Sequence, residues 1–433
     1  MCGSLHSSFA CEPAEAERLI VKVQYTKKSI KREICKLAQL YYKNKIEELF
    51  TNKPKNWYSE VKKLCSRSLD QLDFNLPELP DVTASNLNKF LASIVQSLPA
   101  LPIQLSIGVP SPFFLTVSPS EIERRIDKLR KTSLCPLYIL SPLIRAFGDF
   151  LSKPLSVLFN EITKSGIIPT IWKQGFITPL KKKNGKPGFE GIQPITLTPI
   201  FSKLYEGFLA DLLNEKILPL TDLKQFGNLK STSTSHYLVS LIDHIRIILK
   251  KPNSWLNLIS IDLQKTFDLV NHNILIEKLV SEFSINPLRV KLVASFLTNR
   301  LQVVKYQNHC SNPLPIYNGT SQGTLLGPLL FLVIINSLVK EVPDCWKFVD
   351  DLTIVESCFR NLISNPMNIL NEIGSEALDL DMTVNPSKSM IMLICFLKSS
   401  PCFLNPIPPE IYVSLVKLLW SHNFFKFKVG YTC

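Results

Sequence analysis

Glycine is scarce in this chain: 15 residues among 433, with no Gly-X-Y period, which excludes a collagen-like protein. Histidine is scarcer still, at 6, and the 11 cysteines, scattered from Cys2 to Cys433, include no C-x-x-C pair. A zinc module is therefore not expected, and the odd, dispersed thiols fit a reducing compartment. Long apolar runs are missing too. The longest, Leu325–Val339, is interrupted by Gly327, Pro328 and Asn336 and falls short of the ~20 residues a membrane span needs. It reads as a buried core helix. No basic patch followed by an apolar run opens the chain, so no secretory leader is expected and the protein reads as soluble and intracellular, nuclear or cytoplasmic.

What is present is apolar surface and positive charge. Hydrophobic residues make up 45% and charged residues 20%, enough to bury a core and to exclude a disordered chain. The balance of 49 Lys and Arg against 36 Asp and Glu leaves a net charge of +13, which favours a polyanionic partner, nucleic acid or an anionic membrane surface. The 30 prolines concentrate in part between residues 75 and 120, which reads as a linker or arm. Upstream, KKSIKREICKLAQLYYKNKIEELF places Ile30, Ile34, Leu37, Leu40 and Tyr41 on one helical face.

From Ser118 the texture changes. SPSEIERRIDKL opens a helix with a capping box. Helices are expected through 120–165, over 201–218 and over 236–249, and one over 271–299. Strands are expected at 177–180, 255–263, 301–305, 314–317 and 390–396. A hairpin is expected over 346–356, an apolar helix over 324–339 and a further helix over 366–379. Strands and helices in mixed order make an α+β arrangement.

Two acidic sites stand at strand ends: Asp262 in SIDLQKTFD, and Asp350-Asp351 in KFVDDLTIV. Carboxylates beside buried strands are costly unless they are paired or bind a cation, and three brought together would raise the pKa of at least one. An Asp-Asp pair alone reads equally as a turn. The order of the surrounding blocks separates the two readings.

That order, over roughly residues 120–395, resembles the reverse transcriptases of non-LTR, jockey-like retrotransposons. WKQGFITPLKKKNGKPG resembles the first finger block, and GIQPITLTPIFSKLYEGFLADLL the R-P-I-S-L block. QFGNLKSTSTSHYLVSLID resembles the Q-F-G block. SIDLQKTFDLVNHNILIEKL is similar to motif A, NGTSQGTLLGPLLFLVIINSL to motif B, KFVDDLTIV to motif C and LDMTVNPSKSMIML to motif D.

The resemblance implies a right-hand polymerase with a mixed or antiparallel palm sheet: a helical and proline-rich region over 1–117, fingers over 118–260, palm over 261–396 and a shortened C-terminal segment over 397–433. It implies that Asp262, Asp350 and Asp351, with the carbonyl of Leu263, hold two Mg²⁺ ions (Mn²⁺ being a substitute). Phe267 would exclude the 2′-OH of a ribonucleotide, and Gln322 and Gly323 would line the nucleotide and template. Lys182 and Lys388 would meet triphosphate and leaving pyrophosphate. RNA template, DNA primer and dNTPs are the implied partners, with no membrane.

The pattern also departs from the family. Gln193 replaces the finger arginine of R-P-I, Ser321 the proline before Gln322, and LCPLYIL at 134–140 the usual Gly-Pro-Asp segment. Trp420 stands where a primer-grip glycine is usual, and neither an endonuclease nor a thumb is recognisable. The implied function is thus an RNA-directed DNA polymerase core. The alternative is a catalytically inactive, nucleic-acid-binding remnant of the same fold. An RNA-directed RNA polymerase is disfavoured by Phe267 and by Val349, where those enzymes usually place glycine.

Overall fold

A computed structural model of the protein describes residues 80–95, 101, 116–129, 141–181, 188–230, 232–264, 266–307, 309–340, 342, 344–359, 362–397, 403, 407–408 and 411–413. All belong to the compact unit Phe74–Cys433; the other unit of the chain, Met1–Asp73, lies outside the described residues. So do the helix expected around residues 30–41, the 134–140 segment, Lys182 and Trp420.

Within the stretch read as a proline-rich linker, Pro80–Val95 forms a helix, α1. Pro80 stands in its first turn, where a missing N–H costs nothing. Its buried face carries Leu87, Asn88 and Leu91. Helices α2 (Pro119–Asp127), α3 (Ser141–Ala146) and α4 (Gly148–Ser165) follow. Of Ser118 and Ser120, either of which the sequence allows as the cap of this helix, Ser118 takes the role and caps α2 reciprocally with Glu121. Gly166, at φ +70°, ends α4 in the left-handed conformation that glycine adopts without strain.

Strands β1 (Gln174–Lys181) and β2 (Ile192–Leu197) pair antiparallel. Helices α5 (Ile200–Ile217) and α6 (Thr234–Leu249) precede β3 (Ser254–Asp262). The single helix expected over 271–299 is two, α7 (His272–Ser281) and α8 (Pro287–Leu297). The break has a local cause. Ser284 takes φ +48°, and Asn286 caps the new helix through the Leu288 amide at 2.9 Å, with Pro287 in its first turn.

Strands β4 (Arg300–Tyr306), β5 (His309–Cys310) and β6 (Leu314–Ile316), helix α9 (Leu326–Asn336), the hairpin β7 (Cys345–Phe348) and β8 (Asp351–Phe359), helix α10 (Pro366–Asp379) and β9 (Met390–Ile394) complete the described elements. One sheet is mixed: β1 pairs antiparallel with β2 and parallel with β4, whose other edge takes β5 and β6. The other is antiparallel, in the order β7-β8-β3-β9.

The antiparallel sheet is covered on both faces, so β3 is buried along nearly its whole length, its polar Ser254 and Asn257 included. Alternate residues separate as strand geometry requires. Ile259 and Ile261 join the large core built on α5, α7, α8 and α9. Leu256 and Leu258 join a second core with Tyr237, Leu241 and Ile245 of α6. Helix α9 is buried on nearly every side, so apolar residues surround it and no amphipathic stripe is present. Among the described residues no helix is long and apolar enough to cross a membrane.

Candidate active site

Strand register brings the three acids to one end of the antiparallel sheet. Asp262 ends β3 and Asp351 begins β8, and the two are direct partners across the antiparallel pair. The β7–β8 hairpin closes at Phe348 and Asp351, which leaves Val349 and Asp350 as its two-residue loop. Asp350 accepts a hydrogen bond from the Thr266 hydroxyl at 3.4 Å. The Asp262 carboxylate accepts from the Asn385 amide at 2.9 Å and from the Lys388 ammonium at 3.1 Å. The backbone carbonyl of Asp262 takes the Asn385 N–H at 2.7 Å, so the turn after α10 is tied to the end of β3 on both sides.

Electrostatics mark the same spot. Burial, then the neighbouring carboxylates of Asp350 and Asp262, push Asp351 up to about 7. Asp350 is also raised, first by burial and then by Asp262, while Thr266 and Lys388 act in the opposite direction. Charge is thus concentrated where it is poorly tolerated, the setting in which a cation is stabilising. Yet the three carboxylates do not form a closed ligand shell: among the described residues no three His, Cys, Asp or Glu side chains are grouped closely enough to hold one ion. Lys388 and Asn385 engage Asp262 in place of a shared centre. The donor set remains oxygen-only and anionic, which fits a hard divalent cation such as Mg²⁺. Leu263 follows directly, with its side chain in the core and its backbone bridged to Val384.

Phe267, five residues after Asp262, is half-buried. Its ring stacks on Phe331 of α9 with centroids 4.7 Å apart, so it is a packing residue as well as a lining one. It borders an open cleft, shared with Ile177, Pro194, Gln302, Asn318 and Gln322. The cleft lies beside the acids rather than over them: none of the three lines it.

The loop carrying Gln322 and Gly323 is seated on the mixed sheet. The Gln322 carbonyl accepts the Thr196 amide at 2.7 Å. Gly323 has φ +108°, and a Cβ there would lie 2.5 Å from the Thr196 carbonyl oxygen. Gln193, on exposed β2, donates its side-chain amide to Gln322 at 3.4 Å. The position where the family carries arginine therefore touches the motif B glutamine. The structure thus sets Asp262, Asp350, Asp351 and Lys388 at one end of the antiparallel sheet and Phe267 and Gln322 on the neighbouring cleft, with Gly323 next in the chain against Thr196; Lys182 lies outside the described residues.

Several residues support this cleft: the sequence gives Arg300 and Gln302 a supporting place in the palm with no chemistry of their own, and Glu206 and Asn88 escaped sequence reasoning. Buried Arg300 donates to the Ser321 hydroxyl at 3.5 Å and to the Phe296 carbonyl at 3.2 Å. Buried Glu206 accepts the Leu325 amide at 2.9 Å, and its charge and that of Arg300 favour one another. Asn88 of α1 exchanges hydrogen bonds with Gln302 of β4, at 2.9 Å between side chains, which ties the helix upstream to this cleft. A polar residue at an apolar helical position was the signal available for Asn88 and Glu206; nothing in the sequence paired them with their partners.

His272 caps the same loop from below. Its Nε2 is 2.8 Å from the Gly319 carbonyl oxygen, and burial holds its pKa down at about 4. The unfolded chain takes up this proton near pH 6.5 and the folded chain only near 4, so stability falls as pH drops through that window. Relative to His272→Gln, the wild type should lose roughly 3 kcal/mol between pH 6.5 and 4. Urea unfolding across that range measures it; a difference independent of pH would mean that the buried imidazole protonates freely.

Residues 180–424 match the family of the reverse transcriptase (RNA-dependent DNA polymerase), which is more than half of the chain. The chain belongs to the reverse transcriptase family. The probable RNA-directed DNA polymerase from transposon BS of Drosophila melanogaster is 26% identical over 332 residues, covering 71% of this chain and 35% of that protein. The RNA-directed DNA polymerase from mobile element jockey, also of Drosophila melanogaster, is 25% identical over 280 residues, covering 61% of this chain and 30% of its own. This reverse transcriptase chain thus spans about a third of the length of the curated relatives it matches. Among solved structures, the apo telomerase of Candida tropicalis truncated from its C-terminal domain aligns at a TM-score of 0.41 and 15% identity, covering 57% of this chain and 56% of that one. Reverse transcriptase domains generally use divalent metal ions.

Proposed function

We propose that this reverse transcriptase domain is an RNA-directed DNA polymerase that adds deoxynucleotides to a primer 3′-OH on an RNA template. The observation that carries the reading is the register of β3 against β8, which sets Asp262 opposite Asp351 with Asp350 at the adjoining hairpin tip. In it, the antiparallel sheet belongs to the palm, and β1 and β2 of the mixed sheet belong to the fingers. Asp262, Asp350 and Asp351, with the Leu263 carbonyl, would hold two Mg²⁺ ions. Such ions activate the attacking hydroxyl and stabilise the leaving pyrophosphate of an in-line displacement.

The chain's own groups then orient the substrates. Lys388, whose ammonium is 3.1 Å from the Asp262 carboxylate, would meet the leaving phosphate. Gln322 and Gly323 present backbone and amide to the base pair being formed. Lys182 would reach triphosphate from the fingers. Primer extension on poly-A with oligo-dT, dTTP and Mg²⁺ tests the reading, with Asp350→Asn as the blank. Synthesis that is unaffected by that substitution would remove it.

One feature favours the alternative of an inactive nucleic-acid binder. At position 193 an uncharged amide, already engaged with Gln322, stands where a fixed cation would otherwise be available to phosphate. The same assay decides between the two, because the binder retains template affinity without synthesis.

Phe267 is proposed as the ribose gate. Its ring lines the cleft, and a clash with a 2′-OH would reject the ribonucleotide without cost to the deoxynucleotide. Phe267→Val should raise the kcat/KM of UTP relative to dTTP on one template by at least tenfold, an expected change of about 1.4 kcal/mol in discrimination. The stacking on Phe331 is lost as well, so the melting temperature should fall. A lower melting temperature with an unmoved ratio would leave Phe267 as a core residue only.

A further inference from the structure

The segment Asp222–Gly227, which runs into the Q-F-G block at Gln225, has no role in the reading above, yet it is built against the hairpin that carries Asp350 and Asp351. Gln225 forms a parallel bridge with Lys347 at the outer edge of β7. The Phe226 amide donates to the Lys347 carbonyl at 2.8 Å, and the Lys347 amide to the Lys224 carbonyl at 2.9 Å. The Gln225 side chain is itself buried, and its Oε1 accepts from the Gly227 amide at 2.8 Å and the Val349 amide at 3.4 Å.

Val349 explains why such a brace is needed. It is β-branched, yet it sits at φ +60° as the first of the two loop residues, a position that type II′ hairpins give to glycine. That conformation persists only when its surroundings over-determine it. Gly227 fits against it so closely that a Cβ would lie 2.3 Å from the Val349 nitrogen. Below the loop, Phe226, Tyr237 and Phe348 stack edge to face with successive centroids 5.9 Å apart. Lys347 is fully buried, with its ammonium 2.9 Å from the Asp222 carboxylate and 3.0 Å from the Asn336 carbonyl.

We infer that Gln225 is a positioning residue: with Gly227 as its seat, it holds the Val349–Asp350 loop in the strained turn that presents both aspartates. The inference rests on the metal-site reading of those acids. It assigns to Q-F-G a mechanical role in motif C.

The test uses amide hydrogen exchange in EDTA, Mn²⁺ titration followed by electron paramagnetic resonance, and primer-extension kinetics. In the wild type the amides of Phe226, Lys347 and Val349 should exchange as slowly as those of central β3. Gln225→Met fills the same space without the acceptor. It should speed exchange over 347–351 about tenfold, leave Ile259 and Ile354 protected, and weaken Mn²⁺ binding by roughly tenfold, the usual effect of removing an outer-shell partner. The value of kcat should fall with an unchanged KM for dTTP. Fast exchange of the three amides in the wild type would overturn the inference even if Gln225→Met does not fold. Unchanged Mn²⁺ affinity in a folded Gln225→Met, or no Mn²⁺ binding by the wild type, would overturn it too. Protection with Asp351-dependent Mn²⁺ binding but no primer extension would instead end the polymerase reading and leave the brace standing.

Discussion

Asp351→Asn should make the protein more stable and inactive at once. The folded carboxyl sits at about 7, raised by burial and by Asp350 and Asp262, whereas an exposed aspartate titrates near 3.8. An acid whose folded pKa is raised loses stability as pH rises through the interval between those values, because the unfolded chain gives up its proton first. At pH 8 in EDTA the wild type holds this buried anion in full, and its removal should stabilise by about 2 kcal/mol. At pH 4 the acid is largely protonated and the difference should vanish. Primer extension should fall on the order of a thousandfold, equivalent to about 4 kcal/mol of transition-state stabilisation. Added Mg²⁺ should stabilise the wild type more than the variant, since a ligand that binds only the folded state raises its stability by mass action. Thermal melts at the two pH values, with and without Mg²⁺, make the check. A variant that keeps its activity, or one no more stable than the wild type at pH 8, contradicts the metal-site assignment.

Gly323→Ala should be among the most damaging single changes outside the acids. At φ +108° an alanine is strained by roughly 1–3 kcal/mol, and the Thr196 carbonyl oxygen stands 2.5 Å from the new methyl. That oxygen belongs to the β2 backbone, so it cannot swing away as a flexible side chain would. Relief requires the loop to leave the sheet, which breaks the 2.7 Å bond between the Thr196 amide and the Gln322 carbonyl. The loss of stability should be about 2–4 kcal/mol. Activity should fall about a hundredfold, largely through KM for dNTP, because Gln322 moves with the loop. Gly374→Ala is the internal control. Gly374 lies in α10 with nothing within 4 Å of the added carbon, so the change should be neutral or stabilise by up to about 1 kcal/mol. Equal behaviour of the two variants would show that Gly323 is not seated as described.

Much of this architecture was legible residue by residue. Periodicity located α5, α6 and α10 to within two residues, the alternation around KFVDDLTIV marked the β7–β8 hairpin, and Ser118 and Glu121 announced a cap that the structure forms. These features are local: a cap, a stripe or a tight turn depends on side chains within a few positions of one another, and composition records them directly. Asp262 and Asp350-Asp351 were legible for the same reason, as acids placed where apolar strands end. Whether they met was not, because pairing Asp262 with Asp351 requires β3 and β8, nearly ninety residues apart, to choose one register, and a slip of one residue would turn the two side chains to opposite faces. The helix at 80–95 was hidden by the prolines around it; its place in the fold comes from burying Leu87 and Leu91 and from docking Asn88 onto Gln302 and Ser311. Likewise Lys388 on Asp262, Gln193 on Gln322, and Gln225 under Val349 are contacts between segments far apart in the chain. Sequence alone therefore determined which groups could do chemistry and which local elements would carry them. Tertiary structure decided which groups touch, since burial and strand register act across distances that no local pattern encodes.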